Sequence, residues 1–208
     1  MRHLIKRMYR RAGENGMYED EIKRYAQLNE LAKSGGIVIF GGKSDKNIPL
    51  CELRQAFSIS ETLYNRSIDG LSVANAAEVY DACVAPICPE TVILHIGEAD
   101  IDSFEIAPAE FDIKYTELIR HIKTVNKCRI AVVSVKNSRT GANSDRMNEH
   151  LRHIADTERC EFCDISVRRL WNPKNTERLM SFINDIGFER PLKIKRPVYD
   201  LVKIFYCC

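Results

Sequence analysis

No stretch of this 208-residue chain reaches the roughly 18 consecutive apolar residues of a membrane span, and the basic segment from Met1 to Arg11 lacks the apolar centre of an export signal. Charge of one sign is also missing. Lys and Arg number 31 against 29 Asp and Glu, so the net charge of +2 gives no basic field and no nucleic-acid partner is expected. There is no internal repeat, low-complexity tract or linker, and 45% hydrophobic residues suffice for the core of one α/β domain. These absences predict a soluble cytoplasmic protein without a membrane span.

Cysteine is not scarce, but its arrangement is incomplete as a metal or disulfide framework. A chain of this size needs no stapling, so reduced thiols are expected for its 8 cysteines. Cys160 and Cys163 form a C-x-x-C pair with His150 and His153 nearby, and Cys207 and Cys208 end the chain. No second C-x-x-C completes a zinc set. Residues three apart in a strand over 161–165 point to opposite faces, and no helix follows Cys163 to activate a thiol. No metal and no cofactor are expected.

The most informative stretch is Ile37-Val-Ile-Phe-Gly-Gly-Lys-Ser44. Four apolar, mostly β-branched residues that stop at two glycines read as a fully buried strand ending in a tight turn. In an open α/β sheet ligands bind beyond the carboxyl ends of the strands, which puts Gly41, Gly42, Lys43 and Ser44 on the working edge. Gly42-Lys43-Ser44 invites comparison with the phosphate loop G-x-x-x-x-G-K-[ST], but the first glycine of that motif would fall at Ile37, inside the strand.

Around this strand the pattern alternates. Tyr18, Ile22, Tyr25, Leu28 and Ala32 follow a helical period that stops at Ser34-Gly35-Gly36. A short helix is expected over 49–57, a strand over 62–66, and a helix capped by Ser72 with apolar face Val73, Ala76, Ala77, Tyr80 and Val84. A strand over 91–96 closes at Gly97-Glu-Ala-Asp100. Helix, strand, helix and strand then centre on 111–125, 129–135, 147–154 and 161–165, with a polar loop from Arg139 to Asn143. Two last helices are expected over 176–184 and 191–205. Such alternation implies a five-stranded parallel sheet with helices on both faces and right-handed crossovers. Residues 1–34 are expected to form an N-terminal helical arm packing on a domain over 35–208. The amphipathic segment Met1 to Arg11 is read as a solvated arm or a homo-oligomer contact.

Compared together, the strand ends resemble the conserved blocks of the SGNH/GDSL hydrolases. Ile37 to Ser44 is similar to the first block, where a strand ends in F-G-D-S. Asn65-Arg-Ser-Ile-Asp-Gly70 is similar to the second, and Val92 to Asp100 to the third, usually ending G-x-N-D. The run from Ser138 through Asn148 and Leu151 resembles the following loop and helix, and Asn184-Asp185-Ile-Gly-Phe188 sits at the terminal D-x-x-H. The likeness runs from Gly36 to about Tyr199. It implies a three-layer α/β/α sandwich of flavodoxin-like strand order.

The catalytic residues that the resemblance would supply are replaced. The family aspartate becomes Gly42, the nucleophilic serine Lys43, the oxyanion asparagine Ala99 and the terminal histidine Phe188; Gly70, Asp100 and Asp185 match. An ammonium is no alcohol nucleophile, alanine donates nothing to an oxyanion, and phenylalanine accepts no proton. The sequence therefore points to a catalytically inactive member of this fold that binds a small polar or anionic ligand, or a protein partner, at the former active-site edge, with Lys43 and Arg139 as anion-binding candidates. One alternative is an esterase using the displaced Ser44; another is a scaffold acting through the N-terminal helix. His95, inside a strand, is expected to be a hydrogen-bonded core residue, and Lys43 to pair with Asp100, Asp69, Asp45 or Glu98 at the start of a helix.

Overall fold

A computed structural model describes residues 18–136, 141–165 and 198–207. The expected N-terminal segment Met1 to Arg11, Arg139, the helix over 176–184, Asp185 and Phe188 lie outside the described residues.

Five parallel strands, β1 (Ile37–Gly41), β2 (Leu63–Asn65), β3 (Thr91–His95), β4 (Arg129–Val133) and β5 (Glu161–Cys163), form one sheet in the order β2-β1-β3-β4-β5. The register pairs Ile39 with both Asn65 and Ile93, and Gly41 with His95. Strands β1 and β3 are buried over their whole length, which is why both read as unbroken apolar runs apart from their ends. The chain leaves β1 for β2 on one side and resumes with β3 on the other, so the gap between the β1 and β3 carboxyl ends is the topological switch point.

Helices α1 (Glu19–Glu30), α2 (Leu50–Ala56), α3 (Val73–Cys83), α4 (Ile101–Ile106), α5 (Pro108–Asn126), α6 (Gly141–Thr157) and α7 (Val198–Cys207) complete the described layers. Side chains alternate across each strand and so build two cores. Val38, Phe40, Val92, Leu94 and Val132 face α1, α3, α5 and α6. Ile37, Ile39, Ile93 and Val133 face α2 and α7. Leu201, Val202, Ile204 and Phe205 of α7 are all buried there, and each side chain so covered contributes roughly 1.5–3 kcal/mol. The three-layer α/β/α sandwich and five-stranded parallel sheet expected from the sequence are thus present, in the flavodoxin-like order. No helix among the described residues is long and apolar enough to cross a membrane.

Helix α1 is bound to the loop after β2 by polar as well as apolar contacts. Tyr18 donates its hydroxyl hydrogen to the Gly70 carbonyl at 2.8 Å, and Tyr25 to that of Ser67 at 2.7 Å. The nearly covered Arg66 guanidinium donates to Asn29 Oδ1 from Nε (3.0 Å) and Nη2 (2.8 Å) and lies over the rings of Tyr25 and Tyr64. Burial lowers its pKa.

Three local details differ from the sequence expectations. Ser72 makes no side-chain cap; the first amide of α3, Val73 N–H, donates instead to Asp100 Oδ2 at 3.0 Å. A carboxylate delivered from another loop outcompetes the local hydroxyl because it is a stronger acceptor at a helix N-terminus. The segment Gly141 to Asn143, expected as loop, is already the first turn of α6. Helix α4 follows the turn Glu98–Asp100 directly and was not foreseen, its six residues being too few to show a period.

The Asp100 contact generates a stability prediction. Asp100→Ala removes the acceptor for Val73 N–H and should destabilise the protein by about 1 kcal/mol, whereas Asp100→Asn, which keeps a carbonyl acceptor, should cost less than half of that. Urea denaturation of the two variants measures the difference.

Candidate functional site

The carboxyl ends of β1, β2 and β3 carry several of the residues singled out in the sequence, with contacts other than those expected. After β1 the chain turns through Gly42 into a single 3₁₀ turn, Lys43–Asp45; α2 starts only at Leu50. Lys43 therefore does not open an α-helix. Its ammonium is exposed, and no ion pair within 4 Å joins it to Asp45, Asp69, Glu98 or Asp100. The expected salt bridge is absent for a structural reason, since two of those carboxylates are engaged inside the protein and a third is taken by Ser44.

Asp45, expected as a candidate partner for Lys43, is fully buried. Its Oδ2 accepts a hydrogen bond from Gly42 N–H at 2.9 Å, and its Oδ1 lies 2.8 Å from His95 Nδ1 at the end of β3. The backbone carbonyl of Asp45 accepts from Asn65 Nδ2 at 2.7 Å, which ties the same turn to β2. Gly41 makes this possible. A Cβ there would stand 1.8 Å from Asp45 Oδ2 and 3.0 Å from the His95 carbonyl, so any side chain would expel the carboxylate.

His95 is a core residue, as expected, at 2% exposure. Its partner is a carboxylate rather than a backbone group. Burial alone would lower the His95 pKa, but the charge and hydrogen bond of Asp45, aided by Glu98 and opposed by Lys136, leave it raised above the ordinary value. Nδ1–H donates to Asp45, and Nε2 is enclosed with no hydrogen-bond partner.

Across the switch point the turn Glu98–Asp100 follows β3. Ser44 donates its hydroxyl hydrogen to Glu98 Oε1 and its amide to Glu98 Oε2 at 3.3 Å, so the two turns are bridged over the crevice. Asp100 points the other way, into the α3 amide, and burial raises its pKa against the effect of the Val73 N–H and of Lys114. Ala99 is exposed beside it. Gly70, on the loop after β2, is also exposed; its φ of +73° suits glycine, and a Cβ there would meet nothing within 4 Å, so the space above this loop is open.

The edge thus gathers Gly41, Gly42, Lys43, Ser44, Gly70, Ala99 and Asp100 at the carboxyl ends of three adjacent strands. Sequence reasoning missed Asp45 as the partner of His95 and Glu98 as the partner of Ser44. A signal for one of them was legible: a histidine in an otherwise apolar strand requires a partner, and an aspartate four residues after the neighbouring strand is within reach.

Among the described residues no imidazole is hydrogen-bonded to Ser44. His121 pairs with Asp81 on the α3–α5 surface and His150 with Asp112 between α5 and α6, at 2.7 and 2.9 Å. No group of three or more His, Cys, Asp or Glu side chains that could hold a metal ion occurs among the described residues. Burial raises the Cys163 thiol to about 12 and also raises that of Cys160, so neither is poised as a thiolate.

The strand order and the three loops at the switch point can be compared with solved structures. A Streptococcus pneumonia protein described as a platelet activating factor superposes with a TM-score of 0.63 at 20% identity, over 73% of this chain and 76% of that one. The fold is SGNH/GDSL-hydrolase-like. A GDSL-like lipase from Bacteroides thetaiotaomicron matches with a TM-score of 0.56 at 14% identity, covering 69% of this chain and 77% of its own. A catalytic mutant of an acetylxylan esterase from Geobacillus stearothermophilus gives 0.52 at 17%, covering 76% and 96%. No family model matches the sequence, and no curated protein does. At these identities the likeness extends to the SGNH/GDSL-like fold and not to an activity.

The close approach at Gly41 predicts a large steric effect. Gly41→Ala should cost about 3 kcal/mol or more, at or above the upper end of ordinary overpacking, because the methyl group meets a carboxylate that has nowhere to go. Gly70→Ala should cost about 1 kcal/mol, from its left-handed backbone alone. Chemical denaturation of both variants against the parent gives the comparison.

Proposed function

We propose that this protein uses an SGNH/GDSL-like fold for binding and does not hydrolyse esters by a serine–histidine mechanism. The observation that carries this reading is Lys43. An exposed ammonium, in no ion pair with Asp45, Asp69, Glu98 or Asp100, stands at the turn after β1 where the resemblance expects the nucleophilic hydroxyl. Ammonium groups at the mouth of a switch-point crevice attract anions. The favoured ligand is a small polar or anionic molecule that lays its acidic group on Lys43.

Catalysis through Ser44 is the second reading, and one contact favours it: the Ser44 hydroxyl already donates to a carboxylate, Glu98. A serine–histidine mechanism needs an imidazole within hydrogen-bond reach of the hydroxyl, and among the described residues none is hydrogen-bonded to Ser44. That is why binding is preferred.

Incubation of the full chain with a fluorophosphonate probe, followed by intact-mass measurement and peptide mapping, separates the readings. No adduct is expected in the folded protein. An adduct on Ser44 that disappears in Ser44→Ala would overturn the binding reading in favour of the hydrolase. In parallel, inorganic phosphate and acetate titrated into the protein should raise its melting temperature, by mass action, and Lys43→Ala should abolish the rise.

A further inference from the structure

The buried Asp45–His95 pair touches a third element. Helix α7, the last described element of the chain, brings Tyr206 against the imidazole with ring centroids 5.1 Å apart and planes at 84°. The Tyr206 hydroxyl is enclosed beside the Asp45 carboxylate, short of a well-formed hydrogen bond, and burial together with the Asp45 charge holds it protonated. Lys136, beyond β4, donates from Nζ to the Tyr206 carbonyl at 3.5 Å. His95 is therefore the point at which the 3₁₀ turn of the site, the end of β3 and the C-terminal helix meet.

We propose that the Asp45–His95 pair is a proton-dependent clasp that seats helix α7, tightening it when His95 is an imidazolium and loosening it when the proton leaves. In the charged form both ring nitrogens carry hydrogen: Nδ1–H donates to Asp45, and the enclosed ring presents positive charge to the aromatic ring of Tyr206, an attraction that a neutral imidazole lacks. Loss of the proton cancels the charge opposite Asp45 and leaves a buried carboxylate held only by neutral donors, Gly42 N–H and Nδ1–H. No other step is involved: one proton passes between Nε2 and solvent when α7 lifts.

The groups that face His95 set the direction. Asp45 and Glu98 favour the charged ring, Lys136 disfavours it, and Tyr206 stays neutral. Cys163, which packs in the same core and faces Tyr206, is held as a thiol. His95 binds its proton more tightly in the folded protein than in the unfolded chain. Its contribution to stability is therefore complete below the ordinary histidine pKa and is lost as pH rises through the raised folded value.

Hydrogen exchange of the full chain, read by mass spectrometry and corrected for intrinsic rates, tests the clasp between pH 6 and pH 9. Peptides spanning 201–207 should lose protection with rising pH by more than those of β1 and β3, which follow only the stability of the whole fold. In His95→Gln, which keeps a polar group of similar size, the protection of 201–207 should not vary with pH. Equal protection at both pH values in the parent, the same loss in His95→Gln, or an equal loss in every peptide would overturn the proposal. Should His95→Gln fail to fold, the imidazole carbon shifts of His95 supply a second measurement. The His95 titration midpoint should lie above the ordinary histidine value in the parent and fall in Tyr206→Leu, and an unchanged midpoint in that variant would overturn the proposal equally.

Discussion

One buried carboxylate organises the working edge. Asp45 sits under the end of β1 because Gly41 has no side chain, and from there it holds the Gly42 amide and the His95 ring. An ionised group in such a place costs several kcal/mol of desolvation, and the cost is offset only because both of its oxygens have donors. The remaining geometry follows from that placement. With Asp45 turned inward, Lys43 and Ser44 are turned outward, and the turn is tight enough for Ser44 to reach Glu98 across the crevice.

The layers of the fold were legible because they rest on long-wavelength features of the sequence. Ile37 to Phe40 and Val92 to Ile96 are continuous apolar runs, as a strand buried on both faces must be, and the helices between them carry clear periods. Even the strand order was accessible through the resemblance of the loop motifs. What was not legible depends on three-dimensional competition between polar groups. Ser72 has the right chemistry for a cap, yet Asp100 from another loop takes the amide. Lys43 had four carboxylates within plausible reach, and each had a better or nearer donor or remained apart. Sequence proximity lists the candidates for such contacts but not the winner.

The switch point between β1 and β3 is a property of chain topology and does not depend on which residues line it. A cation stands at the turn after β1, a carboxylate and a hydroxyl hold one another across the gap, and the amide of the neighbouring helix is closed off by Asp100. The last two arrangements satisfy their polar groups within the edge, while Lys43 faces solvent without an ion pair.

Arg66 bears on where this molecule can be cut. Its guanidinium is covered by Tyr25 of α1 and accepted by Asn29 of the same helix, and no carboxylate accompanies it among its described bonds. Helix α1 is thus the solvent shell of a cation. A fragment beginning after residue 34 would uncover the apolar side of α3 and, at the same moment, leave a buried positive charge with the Asn65 carbonyl in place of the Asn29 acceptor.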